Sequence, residues 1–138
     1  MVGCNALFAG AKGSNRAMND IIAAHPNAVQ AFEALEALGN IDDAIHQKAR
    51  MGIMSLLLAL GEADFKFLKE TLNLSDGNLS THLTLLEDRG YLEVQKEFVR
   101  KKPRTTYRPT DTGRNAFQRY ILALERIVKA STENVESA

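Results

Sequence analysis

Apolar positions recur with a helical period along most of the chain and switch to alternation once, between Tyr91 and Arg108. Val29, Phe32, Leu35 and Leu38 fall at three-residue spacing, which predicts a helix over Ala28–Leu38 ended by Gly39-Asn40. A shorter helical stretch from Asn19 precedes it, interrupted at His25-Pro26-Asn27. Asp42 stands where an N-cap belongs, ahead of a longer helix reaching Leu60 and closed by Gly61. In that helix Ala49, Ile53, Leu56, Leu57 and Leu60 make one apolar stripe, and Met51, Met54 and Leu58 make another. A helix apolar on two sides must be covered on two sides.

Phe65, Leu68 and Leu72 mark a short helix over Asp64–Leu72. The tripeptide Asn73-Leu74-Ser75 follows, with Ser75 as the N-cap of a helix running to about Arg89. Gly90 suits the left-handed residue past its end. Tyr91 to Val99 then alternates as a strand, and Thr105-Thr106-Tyr107-Arg108 reads as its return. Arg100-Lys101-Lys102-Pro103-Arg104 is the expected hairpin tip, because proline fits a turn better than a central strand. Thr110 caps a last helix from Asp111 to about Ala130, with Phe117, Ile121, Leu124 and Val128 in register.

Helices, then helix–tripeptide–helix, then a β-hairpin, then a long helix make a winged helix-turn-helix. The expected fold is mainly α with a small β-hairpin wing (α+β), an extra N-terminal helix and a long C-terminal helix. The expected organisation is a flexible tail over 1–18, a helical extension over 19–40, the winged helix-turn-helix over 41–110, and a C-terminal dimerisation helix and tail over 111–138. The apolar stripe of the last helix exceeds what one small domain needs to cover. Phe117, Ile121, Leu124 and Val128 are therefore the expected dimer contacts.

Composition narrows the function classes. The 138 residues, 45% hydrophobic and 25% charged, have the make-up of one soluble globular domain. Cys4 is the single cysteine, which excludes an intrachain disulfide and a cysteine-rich zinc site. It lies in a glycine-rich stretch with no basic neighbour to lower its pKa, a poor setting for a redox sensor. The N-terminus lacks the charged start and apolar core of a signal peptide. Ile53 to Leu60, the longest apolar run, is broken by Ser55 and falls far short of the ~18 residues of a membrane span. A soluble, cytoplasmic protein with no membrane partner is expected. There is no phosphate loop, paired metal-ligand motif or nucleophilic triad, so no catalytic residue, metal or cofactor is expected.

Charge adds a location. Lys+Arg and Asp+Glu are both 17, a net charge of zero that by itself argues against nucleic acid as a partner. Residues 92–110, however, hold six basic side chains against two acidic ones and stand at +4, while the rest of the chain is mildly acidic. On the helix after Ser75, Leu79, Leu83 and Leu86 must face the core. The opposite face carries Gly77, Thr81, Thr84 and Asp88, flanked by Asn78 and Ser80. Such short, uncharged side chains can approach base edges closely, and a major groove accepts one helix. Asp76 and Asp88 count against this use, since carboxylates are repelled by phosphates. His82, at the edge of the apolar face, reads as a half-buried packing residue with one satisfied nitrogen.

Leu74-Ser75-Asp76-Gly77-Asn78-Leu79-Ser80-Thr81-His82-Leu83, then Leu86-Glu87 and Gly90-Tyr91-Leu92, resembles the recognition-helix signature of bacterial and archaeal winged-helix transcriptional regulators. Arg104 to Thr110, followed by Gly113-Arg114 and Ala116-Phe117, is similar to the wing exit and last helix of the small stand-alone regulators related to the MarR and ArsR families. Ile45-His46-Gln47, Arg50 and Ile53-Met54 resemble the helix that leads into their DNA-binding domain. The likeness covers roughly residues 41–128.

It implies a homodimeric regulator of double-stranded DNA. Asn78, Ser80, Thr81 and Thr84 would enter the major groove, while Arg100, Lys101, Lys102, Arg104 and Thr106 would hold phosphates or the minor groove from the wing (96–108). The metal-sensing cysteine box of many ArsR-type repressors is absent. Met51, Met54 and Leu58 offer an adaptable surface that leaves open an apolar small-molecule effector between the N-terminal, entry and last helices. Plain dimer packing is the expected reading, and no effector is indicated. The alternative is a winged-helix module that binds a protein and no DNA, motivated by zero net charge and by Asp76, Glu87 and Asp88.

Overall fold

The structure, a computed structural model, describes residues 19–20 and 23–136, with side chains to residue 132. The expected tail over 1–18, with Cys4, lies outside the described residues. In chain order the elements are α1 (Ala28–Leu38), α2 (Lys48–Leu60), β1 (Ala63–Asp64), α3 (Phe65–Leu72), α4 (Asp76–Asp88), β2 (Leu92–Val99), β3 (Lys102–Pro109) and α5 (Asp111–Glu136). They fall into two units: Asp42–Gln118, and the described residues up to Ile41 together with those from Arg119 on.

In the first unit, Asp42 does not start α2 as the pattern implied. Its Oδ1 accepts from the Ala44 amide at 2.9 Å and its carbonyl accepts from the Ile45 and His46 amides, closing a separate turn. Aspartate offers its backbone this alternative to helix readily. Gln47 then extends (φ −155°, ψ 135°), and its side chain accepts from the Arg50 amide at 3.1 Å. The cap is therefore Gln47. The other Asp42 oxygen accepts a short hydrogen bond from the Tyr91 hydroxyl.

The helix-turn-helix forms for the local reasons its sequence suggests. Asp64 caps α3 by accepting from the Phe67 amide at 2.7 Å. Asn73 adopts the left-handed conformation (φ 53°), and Ser75 Oγ caps α4 by accepting from the Asn78 amide at 3.2 Å. Gly90, just past α4, has φ 76°. Ile53, Met54 and Leu57 of α2, Leu68 of α3, Leu79, Leu83 and Leu86 of α4, and Leu92 and Tyr107 of the hairpin form one core. The two stripes read on α2 thus merge: Met54 is fully buried beside Ile53 and Leu57, whereas Leu60 is exposed.

The hairpin is longer and its tip tighter than expected. β2 and β3 pair antiparallel from Leu92 opposite Pro109 to Val99 opposite Lys102, leaving a two-residue turn at Arg100-Lys101 in place of five residues. Pro103 lies inside β3. That position is open to proline because β1, the other neighbour of β3, reaches only Tyr107 and Thr106. β1 itself is two residues long, too short for alternation to reveal it.

The last helix starts against the base of the hairpin. Thr110 Oγ1 accepts from the Gly113 amide at 3.0 Å and donates to the Gly90 carbonyl at 2.6 Å. A Cβ on Gly113 would sit 2.3 Å from the Tyr91 carbonyl oxygen, so only glycine permits this approach. Phe117, expected at a dimer contact, is half-buried and packs on the core of this unit.

In the second unit, Tyr120 and Ala123 are buried on α5, a stripe offset from the one read in sequence. Ile121 and Leu124 are half-buried, and Val128 is exposed. On α1 the small residues Ala28 and Ala37 are buried, whereas Val29, Leu35 and Leu38 are each about half exposed. Phe32, Leu35 and Leu38 with Ile127 and Ala130 line an open groove of about 680 Å³.

Candidate nucleic-acid interface

Because Leu79, Leu83 and Leu86 are committed to the core, α4 turns Asn78, Ser80, Thr81 and Thr84 outward, and all four are exposed. Thr81 Oγ1 donates to the Gly77 carbonyl at 2.9 Å, which uses its proton and leaves both oxygen lone pairs free to accept. Asp76 in the first turn is paired with Lys69 of α3 (2.8 Å), so one of the two carboxylates that weigh against an anionic partner is partly neutralised. Asp88 stays exposed at the far end of the helix.

A second frame holds α4 from α2. Arg50 Nε donates to the Ala44 carbonyl at 2.5 Å and Nη2 reaches the Asp43 carbonyl at 3.4 Å. Its Nη1 lies 3.1 Å from His82 Nδ1. A guanidinium only donates, so Nδ1 accepts and the imidazole is neutral with its proton on Nε2. Burial, and then the Arg50 charge, push the His82 pKa below its ordinary 6.5. His82 is thus a half-buried packing residue with a partner, as its place on the helix suggested. That Arg50 supplies the partner was not legible, since 32 positions separate the two.

The wing distributes its cations unevenly. Arg100, Lys101 and Lys102 are exposed at the tip, and no ion pair engages them among the described residues. Arg104 is half exposed with Nε 3.4 Å from Asp64 Oδ2, and Arg108 Nε donates to Glu62 Oε2 at 2.6 Å. Thr106, expected on the contact surface, is 7% exposed in the middle strand between Asp64 and Gln95, and has almost no surface to offer. Arg100 and Lys101 both have positive φ, 52° and 65°, a conformation that two-residue hairpin turns require and that Asn or Gly adopt most easily. Beside them Phe98 is 80% exposed. Sequence reasoning passed over Phe98 as one more alternating strand residue. The usable signal was that Leu92, Val94 and Phe98 share a face while the core ends at Val94.

Among the described residues no group of three His, Cys, Asp or Glu side chains could hold a metal ion. No helix among them is long and apolar enough to cross a membrane.

The sequence profile of the winged helix DNA-binding domain matches residues 49–128. The uncharacterized protein MJ0432 of Methanocaldococcus jannaschii is 40% identical over 80 residues, 58% of this chain and 87% of that one. Among solved structures, a transcriptional regulator homologue from Pyrococcus horikoshii OT3 superposes with a TM-score of 0.61 at 27% identity, over 72% of this chain and 94% of that one. The PcaV transcriptional regulator of Streptomyces coelicolor shares the fold at 18% identity, with a TM-score of 0.57 over 82% of each chain. The matched span runs from the start of α2 through the capped α4 and the wing into α5, and the chain belongs to the winged helix DNA-binding domain family.

Proposed function

We propose that the protein is a homodimeric, sequence-specific DNA-binding transcriptional regulator in which α4 enters the major groove and the wing holds phosphates or the minor groove. The observation that carries this reading is the division of α4 into a fully buried leucine face and an exposed, uncharged face of Asn78, Ser80, Thr81 and Thr84. Helix α4 would supply base contacts, and the wing cations would supply position and affinity. In support of a dimer, α1 and the second half of α5 leave Val29, Leu35, Leu38, Leu122 and Val128 exposed, an apolar surface suited to a second copy. Two recognition helices related by a two-fold axis would then read half-sites about one helical turn, ~34 Å, apart.

Selection of bound duplexes from a random pool, with sedimentation of the protein alone, tests the reading. A pseudo-palindromic site and a dimer are expected. A folded protein that retains no duplex at low salt would favour the alternative of a protein-binding module.

A further inference from the structure

Phe98 stands on the same face of the hairpin as Leu92 and Val94, but about 13 Å past Val94 at ~3.3 Å per residue, where no core remains beneath it. Its directly opposed neighbour across the ribbon is Pro103. The tip therefore ends in a pair of rigid apolar side chains, one of them the most exposed large hydrophobic residue described. Next to this pair the chain turns through Arg100 and Lys101 in left-handed conformations, with Lys102 following. A relaxed turn would use Asn-Gly there. The strain places two cations immediately beyond the aromatic ring, which a relaxed pair would not.

We propose that Phe98, backed by Pro103, is an apolar wedge that the wing inserts between base pairs from the minor groove, while Arg100, Lys101 and Lys102 hold the flanking phosphates. This rests on the DNA-binding reading above and extends it to a residue and a distortion. The chemistry of the tip fits a partner with closely spaced anions at its edge and stacked aromatic faces inside, which describes duplex DNA. Apolar side chains wedged into a base step unstack it and kink the helix. An anionic membrane surface is the poorer fit. One phenylalanine with Val99 is a small area to bury in lipid, and Glu93 and Glu97 of the same hairpin are exposed. The wedge would also favour sites with an easily unstacked pyrimidine–purine step under each wing, a preference that needs no hydrogen bond to a base.

The test uses the full chain and the tightest duplex from the selection, with 2-aminopurine placed in turn along the flanks and a dye at each end. The wild type is expected to brighten 2-aminopurine at one step under each wing and to shorten the end-to-end distance through a kink of ~20–90°. Phe98→Ala is expected to abolish both signals and weaken binding by about tenfold. Phe98→Leu should keep the kink, and Arg100→Ala with Lys101→Ala should weaken binding while complexes formed at higher protein concentration still unstack the step. Phe98, Arg100 and Lys101 are all exposed, so these variants are expected to fold. Retention of the duplex without unstacking, or an unchanged signal in Phe98→Ala, overturns the wedge and leaves the DNA-binding reading standing. Flotation with phosphatidylglycerol vesicles that depends on Phe98, while the DNA signals do not, overturns it in favour of a lipid surface. Failure of the wild type to retain any duplex overturns both readings.

Discussion

Helix α4 and the wing tip both face outward, yet they are built on opposite terms. The exposed residues of α4 sit on a helix with its N-cap satisfied by Ser75, its first turn paired to Lys69, its middle held by Arg50 and one whole face in the core. The turn at Arg100-Lys101 has no core beneath it, holds strained backbone, and concentrates charge instead of spending it on ion pairs. Side chains that select among bases must be held in place, because a bidentate contact tolerates little error. A cation holding a phosphate needs only to be near it, and its attraction follows salt. The contrast teaches that the zero net charge of the chain hides an uneven distribution: on the DNA-binding reading, charge is assigned to the region that can use it without fixed geometry.

The largest expected effect breaks the comparison by making the same kind of truncation in both regions. Leu83 is 2% exposed and Phe98 80%. Leu83→Ala is expected to cost roughly 2–5 kcal/mol of stability through the cavity it leaves. The corresponding fall in Tm is about 10 °C or more for a domain of this size. Phe98→Ala should leave Tm unchanged and act only when DNA is present. Thermal melts of the two variants decide the matter, and a comparable fall in both would mean that the wing tip is packed in solution.

Next in size is the electrostatic share. If each wing of a dimer neutralises two or three phosphates, log Kd against log salt should have a slope of roughly 4 to 5 in magnitude. Replacing Arg100, Lys101, Lys102 and Arg104 by alanine is expected to flatten that slope strongly. Thr84→Ala should leave the slope alone and change which sequences are bound. An unchanged slope in the fourfold variant would remove the wing from the mechanism. Arg104 alone should contribute least, since Asp64 already engages it.

The strained turn allows a third and smaller test in which stability and binding move in opposite directions. Lys101→Gly removes the left-handed penalty of a residue with a Cβ and should raise stability by about 1 kcal/mol. The same change removes one phosphate contact per wing and should weaken binding several-fold. A variant that binds less while unfolding at higher urea would show that the tip keeps its cation against its own stability. Lower stability in Lys101→Gly would mean that the left-handed geometry carries no penalty here.

Much of this arrangement was legible in sequence because it is local. The period of Leu79, Leu83 and Leu86, the Ser75 cap and the switch to alternation at Tyr91 each follow from a few adjacent residues, and they set the helix-turn-helix and the wing. What was not legible depends on residues brought together from afar or on marginal elements. Asp42 resembles a helix cap until its own turn and Tyr91 claim it. The strand at Ala63–Asp64 exists only because Tyr107 and Thr106 pass beside it, and that same passage buries Thr106. Phe117 and Tyr120 show how periodicity misleads on a long helix: it picks out the stripe from Phe117 to Val128, whereas Tyr120 and Ala123, one position off that stripe, are buried. The five basic and turn-forming residues at 100–104 marked a tip correctly, though only backbone geometry shows that two of them make the turn.

The smallest effect concerns the frame of α4 and has a definite sign. Burial and the neighbouring Arg50 hold the His82 pKa below 6.5, so on acidification the unfolded chain takes up its proton before the folded one does. Stability contributed by the neutral His82 is therefore complete above about pH 6.5. It declines as pH falls from there through the lowered folded value, below which nothing further is lost. Urea midpoints measured between about pH 7.5 and 5.5 should drop in the wild type and drop less in His82→Gln, which keeps an acceptor for Arg50 but does not titrate. Arg50→Lys should weaken the frame differently, because a single ammonium cannot span both the Ala44 carbonyl and His82 Nδ1 in the planar geometry of the fork. Its urea midpoint should fall at every pH, and discrimination among duplexes should fall with it, while the salt slope set by the wing stays the same. If the slope changed and discrimination did not, Arg50 would be acting as one more cation near the phosphates and not as the residue that positions α4.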